Sequence, residues 1–173
     1  MFRSATAIAA AMALLSASQA SAAATTCMTQ PELRGMVSYV LPSVMGAVIE
    51  RCRPSLPSNA AMLTRGSQLV GELQAGQSAA FPMARQAFSK FSGSDGKTGA
   101  DLFNSMPEEA LKPIIESMMA QELTKDVKTK DCADIDRVFA TLQPLPARNF
   151  VELVTQVLTI AGRDNQKMSV CAG

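Results

Sequence analysis

Along residues 131–162 apolar positions recur with a helical period twice over. Ile135, Val138, Phe139 and Leu142 fall at i, i+3, i+4 and i+7, and Phe150, Leu153, Val154, Val157, Leu158 and Ala161 repeat that spacing after Gln143-Pro144-Leu145-Pro146. Each segment therefore predicts a helix with one apolar stripe. Proline lacks the amide donor and biases its predecessor away from αR, so the intervening turn ends the first helix, while Gly162 is placed to end the second in a left-handed cap. The two stripes predict an αα-hairpin whose faces close on each other, with Phe139, Leu153 and Val157 in its core.

The same period runs through most of the chain. Thr29-Gln30-Pro31-Glu32 has the form of a capping box, and Leu33, Met36, Val37, Val40, Leu41, Val44, Val48 and Ile49 continue an apolar face toward Cys52. Pro42 lies inside that face and predicts a kink. Ser58 is a candidate cap for a helix to about Gln74, weakened by Gly66 and Gly71. A break at Gly76-Gln77-Ser78 leads to a third helix with Phe81, Ala84, Ala87, Phe88 and Phe91 on one side, a stripe read as core rather than as a cofactor site.

Residues 92–99 (SGSDGKTG) have loop composition. Ser105-Met106-Pro107-Glu108 is a second capping-box pattern, opening a helix with Leu111, Ile114, Ile115, Met118, Met119 and Leu123 on its face. Pro113 inside that face predicts a short first piece and a longer second one from near Lys112. The mixed-charge stretch 124–131 reads as a solvated linker, and the polar tail beyond Gly162 as held only by its cysteine. No stretch has a strand pattern. The prediction is an all-α, single-domain, up-and-down bundle of about six helices.

Residues 1–22 stand apart. Arg3, an apolar run from Ala5 to Leu15 and Ala20-Ser21-Ala22 have the pattern of a signal peptide, which places the mature domain at 23–173 in the periplasm or outside the cell. The run is shorter than the roughly 20 residues of a membrane span, and no later segment supplies one. Cys27 lacks the preceding residues that lipidation requires. The chain has 16 Lys plus Arg against 15 Asp plus Glu, and the leader takes Arg3 with it, so the mature part is formally neutral. That balance argues against nucleic acid and against an anionic membrane surface as partner.

All four cysteines, Cys27, Cys52, Cys132 and Cys171, lie in the mature part, and an even count in an exported chain predicts two disulfides. A metal site is disfavoured, because no pair has CxxC spacing and the chain contains no histidine. Four cysteines allow three pairings. A first helix running through Pro42 is about 34 Å long at 1.5 Å per residue. Disulfide Cα atoms come within about 7 Å, so Cys27 cannot reach Cys52 and, by elimination, Cys132 cannot pair with Cys171. Strict alternation of six helices then brings Cys132 to the end where Cys27 sits, predicting Cys27 with Cys132 and Cys52 with Cys171.

Motifs that carry chemistry fail on their context. Gly96-Lys97-Thr98 ends like a P-loop, but Phe91 stands where the first glycine belongs and the preceding segment is helical. The same loop lacks EF-hand ligands after Asp95. Ser94-Asp95-Gly96-Lys97 matches SxxK without the helix start or companion motifs that arrangement needs. Asp131, Asp134 and Asp136 cluster at a helix start, where capping and the helix dipole account for them, as they do for Glu108 and Glu109. Several of the methionines sit on core stripes and the rest are scattered, leaving an adaptable apolar groove as the lesser reading.

Nothing in the sequence identifies a substrate, cofactor or reaction. Two functions remain as expectations. The preferred one is a non-catalytic binding or interaction module for a partner protein or an apolar small molecule. The other is a cell-envelope hydrolase using Ser and Lys or paired carboxylates, which need no histidine. A concave site with converging titratable groups favours the second; charges dispersed over outer helix faces favour the first.

Overall fold

The computed structural model describes residues 27–93, 101, 105–162 and 170–171. Their architecture is all-α, with five helices rather than six: α1 (Gln30–Cys52), α2 (Ala61–Gly93), α3 (Glu108–Thr124), α4 (Cys132–Leu142) and α5 (Ala147–Gly162). The leader and the loop carrying Ser94, Asp95 and Gly96-Lys97-Thr98 lie outside the described residues, as does the Phe91 side chain. No described helix is long and apolar enough to cross a membrane.

α1 is the central element. Its capping box forms as predicted, with Thr29 Oγ1 accepting from the Glu32 amide and Glu32 Oε2 accepting from the Thr29 amide at 2.7 Å. The helix then runs unbroken through Pro42, whose ring is fully buried. Gly35, Met36 and Val37, then Tyr39, Val40, Leu41 and Pro42, are buried in succession, so the first half of the helix is covered on every side but the one bearing Pro31, Arg34 and Ser38. A helix that is apolar over most of its circumference needs neighbours over most of it.

α2 supplies the largest of those contacts, lying antiparallel to α1. At one end Gly35 faces Met83 and Ala84; at the other Gly66 faces Ile49. Both glycines are there for close approach. A Cβ on Gly35 would stand 2.3 Å from the Cβ of Met83, and one on Gly66 would stand 2.6 Å from Ile49 Cδ1. The expected break at Gly76-Gln77-Ser78 does not occur, and α2 is one helix of 33 residues. An interior glycine costs only about 1 kcal/mol of helix propensity. Burial of Leu73, Phe81, Ala84, Ala87 and Phe88 against α1 outweighs that, and Gln77 itself is tied down by donating to the Tyr39 carbonyl at 2.9 Å.

α3 lies along α1 in the same direction. The Tyr39 hydroxyl donates to Glu116 at 2.8 Å in mid-helix, and Arg51 near the end of α1 donates to the Val127 carbonyl just past the end of α3. Pro113 does not divide the helix, and Pro107 rather than Ser105 occupies the N-cap with no side-chain hydrogen bond, so the second capping box is not formed. Lys112 instead pairs with Glu108 one turn back and lies 4.8 Å from the centre of the Phe81 ring, which packs on Tyr39.

The expected α4–α5 hairpin is absent. Cys132 at the start of α4 is bonded to Cys52, the Gln143–Leu145 joint lies beside Arg65 and Glu72 of α2, and Thr159 near the end of α5 accepts from Gln30 at the start of α1. The two helices therefore run in one direction, end to end, along the α1–α2 pair. α4 packs on α2 and α5 mainly on α1. The proline turn is a joint in a fourth rod, not a reversal.

This geometry settles which side chains are inside. Phe139 and Phe150 are buried, but Leu153 is 39% exposed and Val157 is 55% exposed, so two of the three residues expected in the hairpin core lie on the surface. α5 buries Phe150, Thr155, Thr159 and Gly162 instead. The tail is held by more than its cysteine: Val170 is buried in a parallel bridge with Met28, and the Cys171 amide donates to the Met28 carbonyl at 2.8 Å.

Candidate functional site

The disulfides are Cys27–Cys171 and Cys52–Cys132, with Cα separations of 5.1 and 5.4 Å. The length argument against Cys27–Cys52 holds, but the pairing chosen from the alternation of helices is wrong. The reason is the unbroken α2. Removing one reversal between Cys52 and Cys132 brings Cys132 back to the Cys52 end, and the tail then returns Cys171 to the Cys27 end. Cys52 and Cys132 are fully buried, whereas Cys27 and Cys171 are half-buried.

The acidic cluster at the start of α4 disperses. Asp134 lies in the first turn and pairs with Arg137, Asp131 makes no side-chain cap, and Asp136 faces α2. Among the described residues no group of three or more His, Cys, Asp or Glu side chains is placed to hold a metal ion.

A concave site forms among the described residues where α1, α2 and α5 meet. Its cavity volume is about 390 Å³, within the range of about 300–1,000 Å³ typical of small-molecule sites. The opening exists because the facing residues are small: Ser38 on α1, Gly76 and Ala80 on α2, and Ala147 on α5. Leu73 and Val151 add an apolar floor, and Arg34, Glu72, Arg148 and Glu152 stand around it. A ladder of small residues across three helices is visible in the sequence, yet only the packing shows that they face one another.

The charges are unequal in character. Arg34 and Glu152 close an ion pair at 2.7 Å that straps α1 to α5, and Gln156 donates to the same carboxylate. The Arg34 guanidinium first, and Gln156 after it, hold the Glu152 carboxyl below the usual carboxylate range. Glu72 accepts only from the Gln68 amide, and neither Glu72 nor Arg148 has an ion-pair partner among the described residues. Ser38 is the one hydroxyl among the described lining residues, and no lysine accompanies it. The site thus offers an apolar floor and fixed charges of both signs, a set suited to holding a ligand.

A second polar cluster lies at the Cys27 end. The Lys90 ammonium reaches both Glu32, at 2.7 Å, and the Cys27 carbonyl, at 3.1 Å, tying the last turns of α2 to the entry of α1. No protein-family model matches the chain, and no curated protein or solved structure matches it.

Proposed function

We propose that the mature chain is an exported, non-catalytic binding module that engages a protein partner through the outer face of α5. The observation that carries this reading is a second aliphatic row on that helix, exposed on the side away from the face that packs Phe150, Val151, Val154 and Leu158 on the core. Leu153, Val157 and Ile160, at i, i+4 and i+7, are 39%, 55% and 66% exposed, while Thr155 and Thr159 face inward. The threonines are accommodated because each hydroxyl donates to the carbonyl one turn back, at 2.8 Å, so neither is left unsatisfied. Single exposed aliphatic residues are ordinary, but a contiguous row along one helix face marks an interaction surface. The leader pattern and the two disulfides support export to an oxidising compartment.

Site-specific photo-cross-linking tests the reading. A photoactivatable residue at Val157, in cells making the full-length precursor, should give one discrete protein adduct that is lost when Leu153→Glu and Ile160→Glu are added. The same probe at exposed Gln74 on α2 should give none. Equal labelling at the two positions, or no adduct at Val157, would count against it.

A further inference from the structure

The cleft between α1, α2 and α5 is a separate site from the outer face of α5, and its charge pattern names a class of ligand. We infer that it binds a small zwitterion with an apolar side chain, of the size of a free apolar amino acid or a dipeptide. Its volume, about 390 Å³, suits a ligand of that scale. Arg34 is already neutralised by Glu152, so it is a strap between the walls rather than a free anion site. What remains is Glu72 on α2 and Arg148 on α5, both lining the cleft and neither in an ion pair among the described residues. A ligand carboxylate meets Arg148, a ligand ammonium meets Glu72, and the side chain covers Leu73, Ala80 and Val151.

Two physical arguments favour this class over its rivals. An anion or a cation alone would be attracted by one of the two groups and repelled by the other, and a neutral apolar ligand would cover charges without pairing them. Arg148 also sits in the first turn of α5, where the helix dipole disfavours a cation, so helix stability does not account for it. Gly76 supplies a clean control. A Cβ added there meets no atom within 4 Å, and Gly76 lines the cleft on the exposed side of α2, so Gly76→Leu should obstruct the cleft with the core left in place.

Isothermal titration of the purified, oxidised mature protein with L-leucine, leucyl-leucine, N-acetyl-L-leucine and L-leucinamide tests the assignment. Leucine or the dipeptide should bind saturably, and each blocked analogue about tenfold more weakly, the equivalent of about 1.4 kcal/mol. Arg148→Gln should bring leucine down to the level of leucinamide, and Glu72→Gln to that of N-acetyl-leucine. Gly76→Leu should abolish binding with the thermal melt retained. Absence of binding by both zwitterions, equal affinity for the blocked analogues, or undiminished binding by Gly76→Leu would each overturn the proposal. Val157→Glu should leave leucine binding unchanged, so this site and the protein-binding face fail or stand independently.

Discussion

Asp136 accepts a hydrogen bond from the backbone amide of Met62 at 2.7 Å, and so caps a helix to which it does not belong. The Thr64 amide donates to the Ala60 carbonyl, which makes Ala60 the residue at the N-cap of α2, and alanine has no side-chain acceptor. Ser58, the cap expected from sequence, lies two residues too early. An acceptor from α4 fills the role, and α4 is brought there by the Cys52–Cys132 disulfide. Asp136→Ala should therefore destabilise the oxidised protein by about 1 kcal/mol in urea melts, with Asp136→Asn retaining most of the stability. Equal stability of the alanine variant and wild type would remove the capping role.

The Glu32 carboxylate links pH to stability. Burial alone would push its pKa up, but the Lys90 ammonium, then the Thr29 amide and hydroxyl, more than offset this and hold it below its ordinary 4.5. A carboxyl whose folded pKa is depressed contributes stability above its unfolded pKa and loses it as pH falls through the folded value. Wild type should therefore be more stable than Glu32→Gln at neutral pH, and the difference should shrink as pH drops below about 4.5. Chemical denaturation of both proteins from pH 7 to pH 3 checks this; a gap that stays constant would show that the charge is immaterial.

Two glycines should respond in opposite directions. Gly35→Ala places a Cβ against Met83 and 3.1 Å from the Ala84 amide nitrogen, which cannot yield without moving α2. Overpacking of this kind costs about 1–3 kcal/mol. Gly71 faces open space within its helix, so Gly71→Ala should raise stability by about 0.5–1 kcal/mol. Thermal melts of the two variants beside wild type decide whether the α1–α2 approach is as close as described.

The disulfides should differ in reactivity. Thiol–disulfide exchange requires access to a sulfur, and Cys27–Cys171 is half-buried while both residues of Cys52–Cys132 have no exposure. Limited reduction followed by alkylation and peptide mapping should label Cys27 and Cys171 first. Simultaneous labelling of all four cysteines would show that one opening event exposes both bonds.

Along α5, exposure and not sequence spacing should govern the cost of truncation. Phe150→Ala removes a ring that is 7% exposed and should cost about 3–5 kcal/mol. Leu153→Ala, on the outer face, should cost less than about 1 kcal/mol. A cost of several kcal/mol at Leu153 would restore the hairpin core that the periodicity suggested.

Periodicity made the helices legible because amphipathic spacing is a local property. It located α1, α3, α4 and α5 and the Thr29–Glu32 capping box, whose groups are three residues apart. It also excluded a Cys27–Cys52 bond, since the length of a helix follows from its residue count. It divided α2, because a glycine weighed by local propensity looks like a break, whereas contacts with α1 hold the helix together. The cleft was illegible for a related reason: Ser38, Gly76 and Ala147 are unremarkable singly and make a site only when three helices place them side by side.

By itself, then, the sequence determined an all-α chain with two disulfides and the period of each apolar stripe, because helix formation and cysteine count need no knowledge of neighbours. The tertiary structure decided the partner of each stripe and each cysteine. One missing reversal in α2 exchanged the disulfide pairing. The bonds at Cys52 and Cys27 place Cys132 and Cys171 at opposite ends of α1, so α4 and α5 run end to end along the α1–α2 pair instead of folding back as a hairpin. The α5 face that lies against the α1–α2 pair is consequently the one bearing Phe150, Val151, Val154 and Leu158 with Thr155 and Thr159 among them, and Leu153, Val157 and Ile160 remain outside, since a helix whose apolar positions run beyond one stripe can turn only one side of them to its neighbours.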